Sequence, residues 1–226
     1  MKSCKPLYRW TFALILLGFV ITAILLALMP AQVPMHYTAA GEADRVGSKY
    51  ENLLLPCSTA LFGGLFLFLA RYMGRQSPNN ERQLLICNIA MCAGLDILFT
   101  VLMLKALWSS AGQPSAEVDM TKFTVILMGL LLLIMGNIMP KSTRNAAFGL
   151  RTTWSGKNDI VWQRCQRFGG YTGMAAGLLL IVLSCFLGGM AAAAAMLCVI
   201  VLWAVICTVA SKKIYQKWEL EQKNAQ

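Results

Sequence analysis

GNIMPKSTRNAAFGLRTTWSGKNDIVWQRCQRFGG, residues 136–170, joins two long apolar segments and gathers positive charge at Lys141, Arg144, Arg151, Lys157, Arg164 and Arg167. Pro140 and Gly149 are residues that shape a backbone, and Trp154 and Trp162 carry amphipathic rings that settle at a membrane–water interface. A basic, tryptophan-bearing link between two apolar runs reads as a loop on the cytoplasmic side of a membrane protein.

Outward from this loop the chain is apolar in both directions. Of 226 residues, 58% are hydrophobic and 13% charged, outside the range of a soluble domain. Runs long enough to cross a bilayer, roughly 17 to 25 residues, fall at about 10–29, 53–70, 85–104, 123–139, 168–187 and 190–210. The sequence therefore predicts an all-α, polytopic fold: a single helical membrane domain over 1–226 with six transmembrane helices. The outer loop is expected at 30–52 and the inner loop at 140–167. The first run is too long, and lacks the small-x-small exit, for a cleaved leader, so it is expected to remain as a span.

The net charge of +10 follows the same topology. With both termini cytoplasmic, every basic residue except Arg45, Lys49, Lys105 and Lys122 lies on the inner side, as the positive-inside rule requires. The basic excess thus speaks for the lipid bilayer and its anionic headgroups as partner, with no direct role for nucleic acid.

In the outer loop, Pro30 and Pro34 are expected to stop the first helix and hold its exit extended. The inner loop is expected to end in a short amphipathic helix at about 157–167, lying in the headgroup layer. Gly169, Gly173 and Gly177 form a stripe of small residues on the fifth span. It reads either as packing within the chain, with the sixth span as natural partner, or as a dimer face.

Asp96 is the acidic residue inside an apolar run, with Asn88 and Cys92 on the same helical face. Two readings stand: a polar clamp between the third and fourth helices, with Asn88 bonded to Asn137, or a ligand or proton site. His36 is the one histidine, and without a second ligand it makes no metal site. With no nucleophile elbow, Walker loop or dinucleotide fingerprint, the sequence predicts neither an enzyme nor a cofactor. Arg144, Arg151, Trp154 and Trp162 read as membrane anchors or as a docking surface for a cytoplasmic partner.

Two motifs in order add a resemblance. GN-x-MPK, Asn145, Gly149, Arg151-Thr152, Trp154, Trp162, Arg167 and Gly170 resemble the inner-loop signature of the SdpI family of bacterial immunity membrane proteins. In the outer loop, MP-x-x-VP-x-H with Gly41-Glu42, Asp44 and Lys49 resembles the domain of unknown function that often precedes it. The resemblance implies a multi-pass protein of the bacterial inner membrane that protects against a secreted, hydrophobic toxin peptide. It also implies signalling through a cytoplasmic helix-turn-helix repressor. His36, Gly41, Asp44 and Lys49 would then meet the toxin. Asn137, Pro140, Asn145, Gly149, Arg151, Trp154, Trp162 and Arg167 would belong to the motif where a repressor docks. The chain departs from the family pattern at Thr153 and Ser155, where proline and threonine are usual, and at Cys165 and Gln166, which replace a Thr-His pair. Beside immunity stands a second class, a small transporter or channel using Asp96 at the bilayer midplane.

Overall fold

The computed structural model describes residues 4–38, 43–75, 77–111, 119–145 and 147–225. Six helices long and apolar enough to cross a membrane run through it: α1 (Lys5–Leu28), α2 (Leu54–Gly74), α3 (Pro78–Ser110), α4 (Met120–Ile138), α5 (Asp159–Phe186) and α6 (Gly189–Lys223). Two strands, β1 (Gln32–Tyr37) and β2 (Ala43–Ser48), pair as an antiparallel hairpin between α1 and α2.

The helix ends follow local chemistry. Pro6 and Pro78 sit in the first turns of α1 and α3, where a missing N–H costs nothing. α1 ends at Met29 in extended backbone ahead of Pro30, as expected of a residue preceding proline. Asn158 caps α5 by accepting from the Val161 N–H at 2.9 Å. Asp119 caps α4 through the Thr121 and Lys122 amides, both at 3.0 Å, and its second oxygen accepts the Gly189 N–H at 2.8 Å. One carboxylate thus ties the starts of α4 and α6.

α1, α2 and α3 pack on one another, and so do α4, α5 and α6; α3 against α4 joins the two groups. In the second group the helices touch backbone to backbone. A Cβ on Gly129 or Gly177 would lie within 2.7 Å of the other's carbonyl oxygen, and Gly136 and Gly170 repeat the relation seven residues along. Where lipid is as apolar as leucine, such close approach is what holds helices together.

Three features differ from the sequence expectation. The outer loop is a β-hairpin: Val33, Met35 and Tyr37 alternate as a strand should, but the polar second strand, Ala-Asp-Arg-Val-Gly-Ser, hides the pattern. No separate helix occupies 157–167, because its residues are the first turns of the continuous α5, whose inward face is buried. The glycine stripe packs within the chain, each glycine on a different neighbour: Gly177 on α4, Gly173 on Trp203 of α6, and Gly169 on Met139 and Leu150.

Candidate functional site

The hairpin and the α5–α6 turn lie at one end of the bundle, and the 139–158 segment at the other. At this second end the chain leaves α4 through a 3₁₀ turn, Met139–Lys141, in which Pro140 packs against Gly170. The segment is then fastened on every side. Asn80 accepts the Thr143 N–H at 3.1 Å, and Gln83 donates to the Lys141 carbonyl. The Asn145 carboxamide accepts the Ala147 and Phe148 N–H groups at 2.9 and 2.7 Å, an Asx turn. That turn drives Phe148 into the core among Leu67, Leu84, Leu85 and Met139.

Gly149 follows with φ of +104°, a conformation that excludes a side chain, and a Cβ there would strike the Gln166 carboxamide. Gln166, fully buried, accepts from the Leu150 N–H at 2.8 Å and donates to the Leu150 carbonyl at 2.9 Å. A carboxamide presents donor and acceptor side by side, so it can close on both backbone groups of one residue. A neutral imidazole carries them on opposite edges, so the departure at this position builds a clamp that histidine could not make in the same way. Ser155, also fully buried, keeps the hydroxyl that the family's threonine offers, accepting from Thr152 N and donating to Leu150 O.

Trp162 is 2% exposed, and its indole N–H donates to the Ser142 carbonyl at 3.0 Å. It is a core residue and not an interfacial anchor, because its ring faces the segment and not the lipid. Trp154 is half-buried, with the Lys212 ammonium 5.9 Å from its ring centre. Arg144 pairs with Asp159 at 3.1 Å and reaches the Gly156 carbonyl. Asn137, Arg151 and Arg167 remain exposed. A polar cleft of about 420 Å³ opens between Ser77, Thr143, Arg144, Asp159, Trp162 and Gln163.

At the hairpin end, His36 Nδ1 and Asp44 Oδ1 lie 2.6 Å apart on the exposed hairpin. Arg45 pairs with Glu51, which also accepts the Ser48 N–H. Lys49 turns inward, donating to the Leu26 and Met29 carbonyls at 2.8 and 3.0 Å. It satisfies carbonyls left over at the end of α1 and pins the hairpin there. Gly41 lies outside the described residues.

Midway along α3, Asn88 donates to the Gly63 carbonyl at 3.0 Å and accepts from Cys92 at 3.5 Å. The expected bond to Asn137 is absent, since Asn137 is exposed on α4 while Asn88 is fully buried against α2. The clamp joins the second and third helices, not the third and fourth. Asp96 is 7% exposed and faces Gly18 of α1, where a Cβ would lie 2.6 Å from Oδ1. Its carboxyl lies beside the buried Thr59 hydroxyl of α2. Gly18 and Thr59 lie on other helices, so nothing in the periodicity of α3 marks them as neighbours of Asp96. Among the described residues no three His, Cys, Asp or Glu side chains gather to hold a metal.

Residues 141–211 match the SdpI/YfhL protein family, and residues 13–59 match a domain of unknown function, DUF1648. The chain is similar to a Bacillus subtilis (strain 168) protein named "Immunity protein SdpI", 27% identical over 90% of this chain and 93% of that protein. No solved structure matches.

Proposed function

We propose that this chain, which belongs to the SdpI family, is an immunity protein that binds or blocks a secreted, membrane-active killing peptide before it can breach the bilayer. Similarity along nearly the whole length of Immunity protein SdpI carries this reading. The protein sits in the bacterial cytoplasmic membrane with both termini and the 139–158 segment inside, the orientation favoured by its basic residues. The hairpin then faces the side from which a secreted peptide arrives, with His36, Asp44, Arg45 and Val46 exposed to it. A cytoplasmic repressor would meet the residues that the inner segment leaves uncovered, such as Arg151, Lys157 and Arg167. For such signalling the peptide must prefer one conformation of the bundle, since equal affinity for both shifts nothing.

The test is survival and membrane potential of a sensitive bacterium expressing the chain, challenged with the killing peptide of the same locus. Retained potential and survival are expected; death despite confirmed membrane insertion overturns immunity to that peptide. A second reading, a transporter or channel, is favoured by one observation: a carboxyl buried midway along a membrane-spanning helix. It requires that Asp96→Asn abolish a pH-dependent flux, whereas a packing role alone predicts lost stability and no flux.

A further inference from the structure

Around the polar cleft beside Trp162, four buried polar atoms stand idle. Asn80 Nδ2, Gln83 Oε1, Ser142 Oγ and Asn158 Nδ2 have no hydrogen-bond partner among the described residues. Asn80 and Ser142 are each 2% exposed. Their residues are held in place by other atoms. Asn80 accepts the Thr143 N–H, Gln83 donates to the Lys141 carbonyl, and Asn158 accepts the Val161 N–H. A buried polar group left unmet is costly, so a cluster of them at one opening points to a ligand rather than to packing.

The cleft supplies the space. Its volume of about 420 Å³ falls within the range of small-ligand sites, roughly 300–1,000 Å³. Ser77 and Thr143 line it and are joined hydroxyl to hydroxyl at 3.2 Å, which sets the Asn80 carboxamide against its wall. Arg144 and Asp159 also line it, 3.1 Å apart and both open to solvent. Arg144 spends Nε on Asp159 and Nη1 on the Gly156 and Lys157 carbonyls, which leaves the Nη2 hydrogens. An exposed ion pair is weak, so a ligand can share it at little cost. A lone anion entering here would meet Asp159, and a lone cation would meet Arg144. A zwitterion meets both. Exposed Ile160 follows Asp159 and gives the site an apolar edge, as suits a ligand that carries acyl chains.

We propose that this cleft binds a phosphoethanolamine group, the headgroup of a zwitterionic membrane lipid. The phosphate oxygens accept from Arg144 Nη2, backed by the Asn80 and Asn158 amides, and the primary ammonium donates to Asp159. Choline fits less well. It has no N–H to give Asp159, and a quaternary ammonium needs aromatic walls, whereas the one ring lining this cleft, Trp162, is buried. The assignment goes beyond immunity and does not depend on it.

The test uses the full chain in maltoside detergent, with binding of dihexanoyl phosphatidylethanolamine, phosphatidylcholine and phosphatidylglycerol followed by isothermal titration. The ethanolamine lipid is expected to bind about tenfold more tightly than the other two, as suits a pair of charge-assisted contacts. Asp159→Asn should bring it down to the choline lipid, and Arg144→Gln should weaken both. The two side chains are exposed, so both variants should keep the wild-type unfolding midpoint. Glycerophosphoethanolamine, the same group without acyl chains, separates the sources. Weaker binding than the lipid assigns the cleft to the membrane, and equal binding assigns it to a soluble ester of the same chemistry. Equal affinity for the ethanolamine and choline lipids overturns the site, as do tighter binding of phosphatidylglycerol, no detectable binding, and a preference that survives both substitutions.

Discussion

Between Met139 and Asn158 the chain buries Met139, Ser142, Phe148 and Ser155 and bonds to α3, α5 and α6. Between Gln32 and Leu53 only Val33 and Asn52 are buried among the described residues, and most side-chain bonds stay within the hairpin. Both stretches carry a family motif, yet the first is spent on architecture and the second is set on top of it. The contrast teaches that a motif's residues serve function in different ways. Those of the inner segment fix a surface from beneath, while those of the hairpin present one.

The contrast breaks if the inner segment proves dispensable. Trp162→Ala should cost about 3–5 kcal/mol, by leaving a large cavity beneath the segment. Its check is denaturant unfolding of the purified chain, and a wild-type midpoint would refute the architectural role. Gln166→Ala comes next, at about 1–3 kcal/mol, since it strands the Leu150 N–H, while the carbonyl keeps the Ser155 hydroxyl.

Asp119→Ala should cost about 1–2 kcal/mol by uncapping α4 and freeing the α6 turn. The Lys122, Gly189 and Thr121 amides hold the Asp119 carboxyl below its ordinary value. Its contribution is therefore complete above the ordinary aspartate range and lost as pH falls through the lower, folded value. Acid unfolding of wild type and Asp119→Asn should converge at low pH, and a constant gap would refute the linkage. The smallest stability effect belongs to the hairpin: breaking the exposed His36–Asp44 pair should change stability by about 0–1 kcal/mol. Protection against the killing peptide should nonetheless fall. Equal loss of folding and protection would erase the distinction between the two regions.

The spans were legible because a bilayer demands apolar length and little else, and because basic residues mark the loops. Asn88 and Cys92 were legible as one helical face, since α3 keeps the spacing that joins them. Partners on other helices were not. Nothing in a single chain's periodicity pairs Gly136 with Gly170, Asn88 with Gly63 or Asn80 with Thr143. Trp162 was misread because a tryptophan in a basic loop has the composition of an interfacial anchor, and only the fold turns its ring inward. The hairpin escaped because its second strand is polar on both faces, which leaves no alternation to detect.

The paired glycines of α4 and α5 carry a mechanical consequence. Two helices whose carbonyls rest against each other's α-carbons at points seven residues apart cannot roll or slip without collision. They behave as one strut through the membrane. One end of the strut is the carboxylate that also grips α6, and the other opens into the clamped inner segment. A push delivered near Asp119 would therefore reach the far side as tilt of a rigid body, undiminished by side-chain slack, while α1 to α3 supply whatever yields.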